Sequence, residues 1–241
     1  MLGEARHLGF LGPGPLAGHL ANALGFAAVV GSVRGVVDGD ENAPASVLDL
    51  GSGGGLPGLV LGSCWPVTRI TLVDANERRT DFLDRAVRTL GVGDRLTVQR
   101  GRAEEVGRRP EQRGAYDLVV ARSFGPPATT AECAAPFLRV GGLLVVSEPP
   151  PPHVAEGAPL LPTGGRWPAD GLARLGMAPV QPEPHAVTIE VVTVKAVTIE
   201  ATSEEPEADE ATFHFQVIRQ QTECPEQYPR RVGVPAKRPL F

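Results

Sequence analysis

Residues 47–58 read V-L-D-L-G-S-G-G-G-L-P-G, and no other stretch limits the fold of this chain as tightly. A short apolar run carries Asp49 near its end, Gly51, Gly53 and Gly55 follow at alternate positions, and Pro57 leads into another apolar run. Apolar residues at successive positions suit a strand buried on both faces, as in a parallel sheet. Glycine accepts a positive φ and lets the backbone pass close to a neighbour. A proline in the first turn of a helix loses no hydrogen bond. The pattern predicts a buried strand, a tight turn, and a helix whose free N–H groups open onto that turn.

The alternation continues downstream. Strands are expected at 46–50, 69–73, 95–99, 116–121 and 143–147, with helices at 77–90, 103–107 and 131–138 between them. In the 77–90 helix Phe82, Leu83, Ala86, Val87 and Leu90 share one face, arginines take the other, and Gly91 stops it. Strands separated by helices are βαβ units with right-handed crossovers. Upstream, a helix over 16–30 and a turn at 38–42 are expected. Downstream lie a Pro-rich loop at 149–152 and a helix over 167–175. A β-prone segment at 186–200 contains A-V-T-I-E twice and is read as one extended or bent strand, and the strand at 212–219 pairs antiparallel with it. The fold class expected is a doubly wound α/β, Rossmann-like methyltransferase fold of class I. Its mostly parallel sheet has seven strands and ends in an antiparallel hairpin. The expected divisions are a helical extension at 1–42, the main domain at 43–222 (with its β-prone segment and acidic loop at 186–210), and a basic tail at 223–241.

Composition narrows the function. Net charge is −5, so no whole-protein positive field advertises nucleic acid, and 5% aromatic content argues against a base-stacking surface. Glu204, Glu205, Glu207, Asp209 and Glu210 account for that charge, and the remainder is about neutral. Cys64, Cys133 and Cys224 are far apart, with neither disulfide nor metal-ligand spacing, so no metal is expected. No segment reads as long and apolar enough to cross a bilayer, and no secretory signal is evident at the N-terminus. A cytoplasmic monomer without membrane contact is the expectation.

The chemistry follows from the strand ends. In methyltransferases the G-x-G-x-G loop lies under the methionine moiety and ribose of S-adenosylmethionine, and Asp49 is placed to fix the loop or the cofactor's amino group. Gly53, Gly55 and Gly58 also satisfy G-x-G-x-x-G, so a nicotinamide or flavin nucleotide is the competing reading. Both need an acid after the second strand for the ribose hydroxyls, and Asp74 supplies it. Gly51 beside the strand, Asp49 before it, and the closing antiparallel pair favour S-adenosylmethionine. Ala103 and Glu104, after the third strand, stand where adenine is read. After the fourth strand comes A-R-S-F-G-P-P, with neither an N-P-P-Y-like element for amino methylation nor a Cys nucleophile. Arg122 is expected to contact cofactor or anionic substrate, with a structural ion pair as the alternative. In the tail Arg230, Arg231, Lys237 and Arg238 form a candidate phosphate-contact strip, or else a basic surface with no target.

D-L-G-S-G-G-G-L-P-G, L-V-D with E-R-R-T-D-F-L, G-R-A-E, A-R-S-F and the closing Y-P-R-R-V-G-V-P-A-K-R-P-L together resemble the bacterial RsmG family, also called glucose-inhibited division protein B. The resemblance covers residues 47–147 and the last fourteen. It implies methylation of N7 of a guanine in 16S ribosomal RNA, with that RNA or a 30S assembly intermediate as partner. It also implies cofactor contacts at Gly51, Leu56, Ala103, Glu104 and Arg122. The family's asparagine-leucine-threonine and histidine-aspartate-serine elements are not found in residues 1–45. Two rival functions are a class I methyltransferase acting on a small molecule or another RNA, and a non-catalytic cofactor- or RNA-binding module.

Overall fold

The computed structural model describes residues 1–34, 43–150, 165–181, 185–192 and 208–241. The turn expected at 38–42, the second A-V-T-I-E copy, Pro151 and Pro152 of the Pro-rich loop, and Glu204, Glu205 and Glu207 lie outside them. The strands are β1 (Ser46–Leu50), β2 (Arg69–Asp74), β3 (Leu96–Arg100), β4 (Tyr116–Ala121), β5 (Leu138–Glu148), β6 (Met177–Pro179), β7 (His185–Val192) and β8 (Ala208–Gln220). They form one sheet in the order β3-β2-β1-β4-β5-β8-β6, with β7 also on β8. The first five are parallel, and β8 runs antiparallel to β5, β6 and β7. Among the described residues eight strands stand where seven were expected, because β6 pairs with Ile218–Gln220 and β7 with Ala208–Phe215 along the same edge of β8.

The helices are α1 (Leu2–His7), α2 (Leu16–Arg34), α3 (Gly58–Cys64), α4 (Glu77–Leu90), α5 (Ala103–Val106), α6 (Pro127–Ala134), α7 (Ala169–Ala173) and α8 (Val234–Lys237). Alternate residues of the central strands face opposite sides. Leu48, Leu50, Val119, Ala121, Leu144 and Val146 join the core under α5, α6 and α7, with Phe137 and Trp167. Val47, Leu118, Val120, Leu143 and Val145 join Phe26, Leu61, Phe82 and Leu83 from α2, α3 and α4. Both faces being covered explains why these strands read as continuous apolar runs.

Several boundaries depart from expectation for local reasons. Helix α6 starts at Pro127 rather than 131, since proline's fixed φ suits a first helical turn, and it tightens to a 3-10 turn at Ala135–Phe137. Strand β5 begins at Leu138, ahead of the expected 143, and carries Gly141–Gly142 within it; its register against β4 shifts between Tyr116 and Leu118. In α4 the Asn76 side chain caps the Arg79 N–H and Gly91 adopts φ 65°, as a helix end favours, but Leu90 is 48% exposed and leaves the buried face.

The N-terminus needs the largest correction. Helix α2 runs four residues past the expected end, α1 was not foreseen, and α2 is long and apolar enough by composition (19 residues, hydropathy 1.5) to cross a membrane. Phe26, Val29 and Val30 are buried in the sheet-facing core, while Leu24 is exposed. The Phe26 ring meets Phe215 of β8 edge-on at 4.8 Å.

Gly25 permits that approach, because a Cβ there would stand 2.7 Å from the Phe215 ring, which is fully buried. Gly25→Val is expected to cost about 1–3 kcal/mol by overpacking. The check is a denaturant-unfolding midpoint, and an unchanged midpoint would show the ring able to move aside.

Candidate active site

The C-terminal ends of β1 and β2 hold the glycine turn. Parallel pairing aligns Leu50 with Val73, and the N–H groups of Gly51 and Ser52 both donate to the Val73 carbonyl at 2.9 Å. Asp49, buried in β1, accepts the Gly58 N–H through Oδ2 at 2.8 Å, so the first turn of α3 is tied to the strand before the loop. A Cβ at Gly58 would lie 2.6 Å from that oxygen and 2.3 Å from Leu72, so only glycine fits. Gly51 has φ 75°, and a Cβ there would lie 2.6 Å from the Phe124 ring. The second oxygen of Asp49, Oδ1, is buried without a partner. Burial pushes the Asp49 carboxyl up to about 7, against the Gly58 hydrogen bond that lowers it.

Asp74 plays a matching part from β2. Its Oδ2 accepts the Gly53 N–H at 3.0 Å and its Oδ1 the Asn76 N–H at 2.8 Å, with Arg79 in an ion pair at 3.6 Å. The Arg79 guanidinium also lies 6.0 Å from the Phe10 ring centroid. Phe10 belongs to the segment between α1 and α2, which crosses above the glycine turn. Its walls and the turn enclose a cavity of about 260 Å³ lined by Gly9–Gly12, Gly51–Gly54, Leu56, Arg79, Arg122 and Ser123. Ser123, at the end of β4, holds φ 53°, a left-handed conformation uncommon for a side-chain-bearing residue.

Of the residues singled out from sequence, Gly51, Gly53, Leu56 and Arg122 meet at this cavity. Asp49, Gly55, Asp74, Ala103 and Glu104 do not line it; the two aspartates brace it from beneath. Glu104 Oε1 accepts the Gly233 N–H of the C-terminal segment at 2.9 Å. Arg230, counted among the phosphate contacts, is instead engaged within the fold. Its guanidinium grips the fully buried Glu132 carboxylate through Nε at 2.8 Å and Nη2 at 2.6 Å. Arg231, Lys237 and Arg238 remain exposed. Cys133 is buried in α6, where burial and the nearby Glu104 and Glu132 push its thiol upward, away from a reactive thiolate.

Phe10, Leu11, His19 and Arg79 are not marked as site residues by the sequence. Phe10 and Leu11 sit between glycines with no periodicity to mark them. His19 and Asn22 did leave a signal: polar residues three apart in an apolar helix.

Does the cavity suit S-adenosylmethionine? The turn presents bare backbone from Gly51 to Gly54 toward it, Arg122 offers a donor for a carboxylate, and Asp49 keeps an unpartnered buried oxygen under the loop. These features fit a small, charged nucleoside. A five-stranded parallel sheet closed by an antiparallel strand, with a glycine turn between its first strand and helix, defines a class I S-adenosylmethionine-dependent methyltransferase. The family model described as rRNA small subunit methyltransferase G (GidB) matches residues 27–148. Ribosomal RNA small subunit methyltransferase G of Synechococcus sp. (strain RCC307) is 33% identical over 197 residues, 82% of this chain and 71% of the relative. That of Roseiflexus sp. (strain RS-1) is 35% identical over 199 residues, covering 83% and 72%. Among solved structures, precorrin-6y C5,15-methyltransferase from Geobacter metallireducens GS-15 aligns over 80% of this chain and 86% of that one, with TM-score 0.45 and 14% identity. The chain belongs to the rRNA small subunit methyltransferase G family.

Asp49 gives the bracing a pH signature. Its folded value of about 7 lies above its ordinary 3.8, so between those limits the folded chain holds a proton that the unfolded chain has released. Stability is therefore expected to fall as pH rises from about 4 to 7 and to level off above. Asp49→Asn keeps an acceptor for Gly58 and should lack that decline. Parallel pH dependences of unfolding in the two proteins would contradict the burial of this carboxyl.

Proposed function

We propose that this chain methylates N7 of a guanine in 16S ribosomal RNA, acting in the cytoplasm on naked or partly assembled small-subunit RNA. One observation carries the acceptor chemistry. Among the described residues lining the cavity there is no carboxylate, histidine or thiol to serve as base or nucleophile. Guanine N7 has an exposed lone pair and no proton to lose, so it needs neither. S-adenosylmethionine supplies an electrophilic methyl group on a sulfonium. What remains for the protein is placement, which can account for much of a barrier of this kind.

In this reading the Gly51–Gly54 backbone seats the donor's methionine end and Leu56 packs against it. Arg122, half-buried at the cavity wall, receives the donor's carboxylate. Burial lowers the Arg122 pKa, and the nearby Asp49 carboxyl offsets only part of that effect. Asp74 reaches ribose hydroxyls by releasing Arg79 while it keeps the Gly53 N–H, and Ala103 with Glu104 reads the adenine edge. Arg231, Lys237 and Arg238 contact phosphates, while Arg230 anchors the segment that carries them.

The direct test is incubation of unmethylated 16S ribosomal RNA, free and in 30S particles, with the protein and methyl-labelled S-adenosylmethionine. Mass-spectrometric mapping should find 7-methylguanosine at one site. Label on another base, or only on small molecules, would refute the assignment. Replacing Arg231, Lys237 and Arg238 together by Ala should flatten the salt dependence of RNA binding by up to about two to three in log–log slope. Adding Arg230→Ala should lower stability as well, because the Glu132 charge is then left buried and unpaired. An unaltered slope in the triple variant would remove the tail from RNA contact.

A further inference from the structure

His19 touches both the segment above the cavity and the cation at its wall. It lies in the first turns of α2, is 9% exposed, and sets Nε2 3.0 Å from the Gly12 carbonyl oxygen. On its other side the Arg122 guanidinium makes two contacts. One Nη donates to the His19 backbone carbonyl at 3.3 Å, and the other meets imidazole Nδ1.

The partners dictate the tautomer. A guanidinium has donors only, so Nδ1 must accept. The ring proton then sits on Nε2, where it donates to Gly12. An imidazolium would set an N–H against the guanidinium. The charged groups that act on the ring are cations: Arg122, and Arg6 of α1. Burial, together with both of these cations, lowers the His19 pKa and keeps the ring neutral.

The Gly9–Gly12 segment is held at its other end by α1, whose Ala5 carbonyl accepts the Phe10 N–H at 2.8 Å. Between these two anchors it lies against the glycine turn. A Cβ at Gly54 would stand 2.8 Å from the Leu11 side chain and 3.1 Å from the Phe10 carbonyl. The His19 imidazole thus bridges this segment and Arg122. We propose that His19 is a positioning residue for methyl transfer: its neutral ring ties Gly9–Gly12 to the Arg122 guanidinium, so that the two close on the bound donor in a fixed relation. The proposal rests on reading the cavity as the donor site.

Two measurements test it. The first uses the unliganded protein labelled with ¹⁵N-histidine. At pH 7 the His19 ring, assigned by its loss in a variant, should show a pyridine-type Nδ1 and a pyrrole-type Nε2. The reverse pattern or a doubly protonated ring overturns the link. The second is calorimetric affinity for S-adenosylmethionine, with melting temperatures, in His19→Ala, His19→Asn and His19→Gln. Asn places an amide where Nδ1 stood and can restore the Arg122 contact; Gln reaches the Nε2 position and can restore the Gly12 contact. His19→Ala should weaken donor binding on the order of tenfold. Asn and Gln should each recover part of that loss, independently of melting temperature. Unchanged affinity in His19→Ala, or losses that merely track the fall in melting temperature across all three variants, overturns the role of His19 alone. A wild-type chain with the expected tautomer but no affinity for the donor overturns the site reading, and the proposal with it.

Discussion

Two carboxylates at neighbouring strand ends hold the working part of this molecule in shape. Asp49 takes the Gly58 N–H and Asp74 takes the Gly53 N–H, so both ends of the glycine turn are tied to the sheet by hydrogen bonds to carboxyl oxygens. The parallel register of β1 on β2 sets Asp49 opposite Leu72, with Asp74 two residues further along the neighbouring strand, and it fixes Gly51 and Ser52 on the Val73 carbonyl. A turn braced in this way is formed before any ligand arrives. That reduces the ordering cost of binding. The cost falls on Asp49, whose carboxyl is buried with one oxygen unpartnered.

Around this brace the chain's two ends converge from opposite directions. The N-terminal segment crosses above the turn and meets Arg122 through His19. The C-terminal segment returns along the other side of the sheet, where Glu104 holds Gly233, Glu132 holds Arg230, and Arg113 donates to the carbonyls of Cys224 and Tyr228. Acids following β3 and within α6 thus fasten a segment whose exposed cations face solvent. In the proposed function, donor-binding and RNA-binding parts share one rigid support.

How much of this is legible in the sequence depends on whether a residue's role is local. Asp49, Asp74, Gly51 and the 77–90 helix follow from spacing along the chain, because strand, turn and helix signals act within a few residues. The same holds for the doubly wound order, with the edge strand's division into β6 and β7 the exception. No local rule sorts Arg230 from Arg231, since the partner of Arg230, Glu132, lies 98 residues away. Glu104 stands out for its position after β3, but the contact that the structure gives it is with Gly233, 129 residues on. Phe10 and His19 are placed by packing of α1 and α2 on the sheet, where glycines and prolines obscure periodicity. The hydropathy of α2 is easily underrated, because its glycines and alanines lower the apparent bulk without adding charge.

The central claim is that the braced glycine turn, roofed by Gly9–Gly12 and walled by Arg122, is the seat of the methyl donor. A crystal structure of the protein with S-adenosylhomocysteine tests it most directly. The amino-acid end of the ligand is expected over Gly51–Gly54, with its carboxylate on Arg122 and its ribose on Asp74. A ligand bound elsewhere, with this cavity closed against it, would contradict the claim.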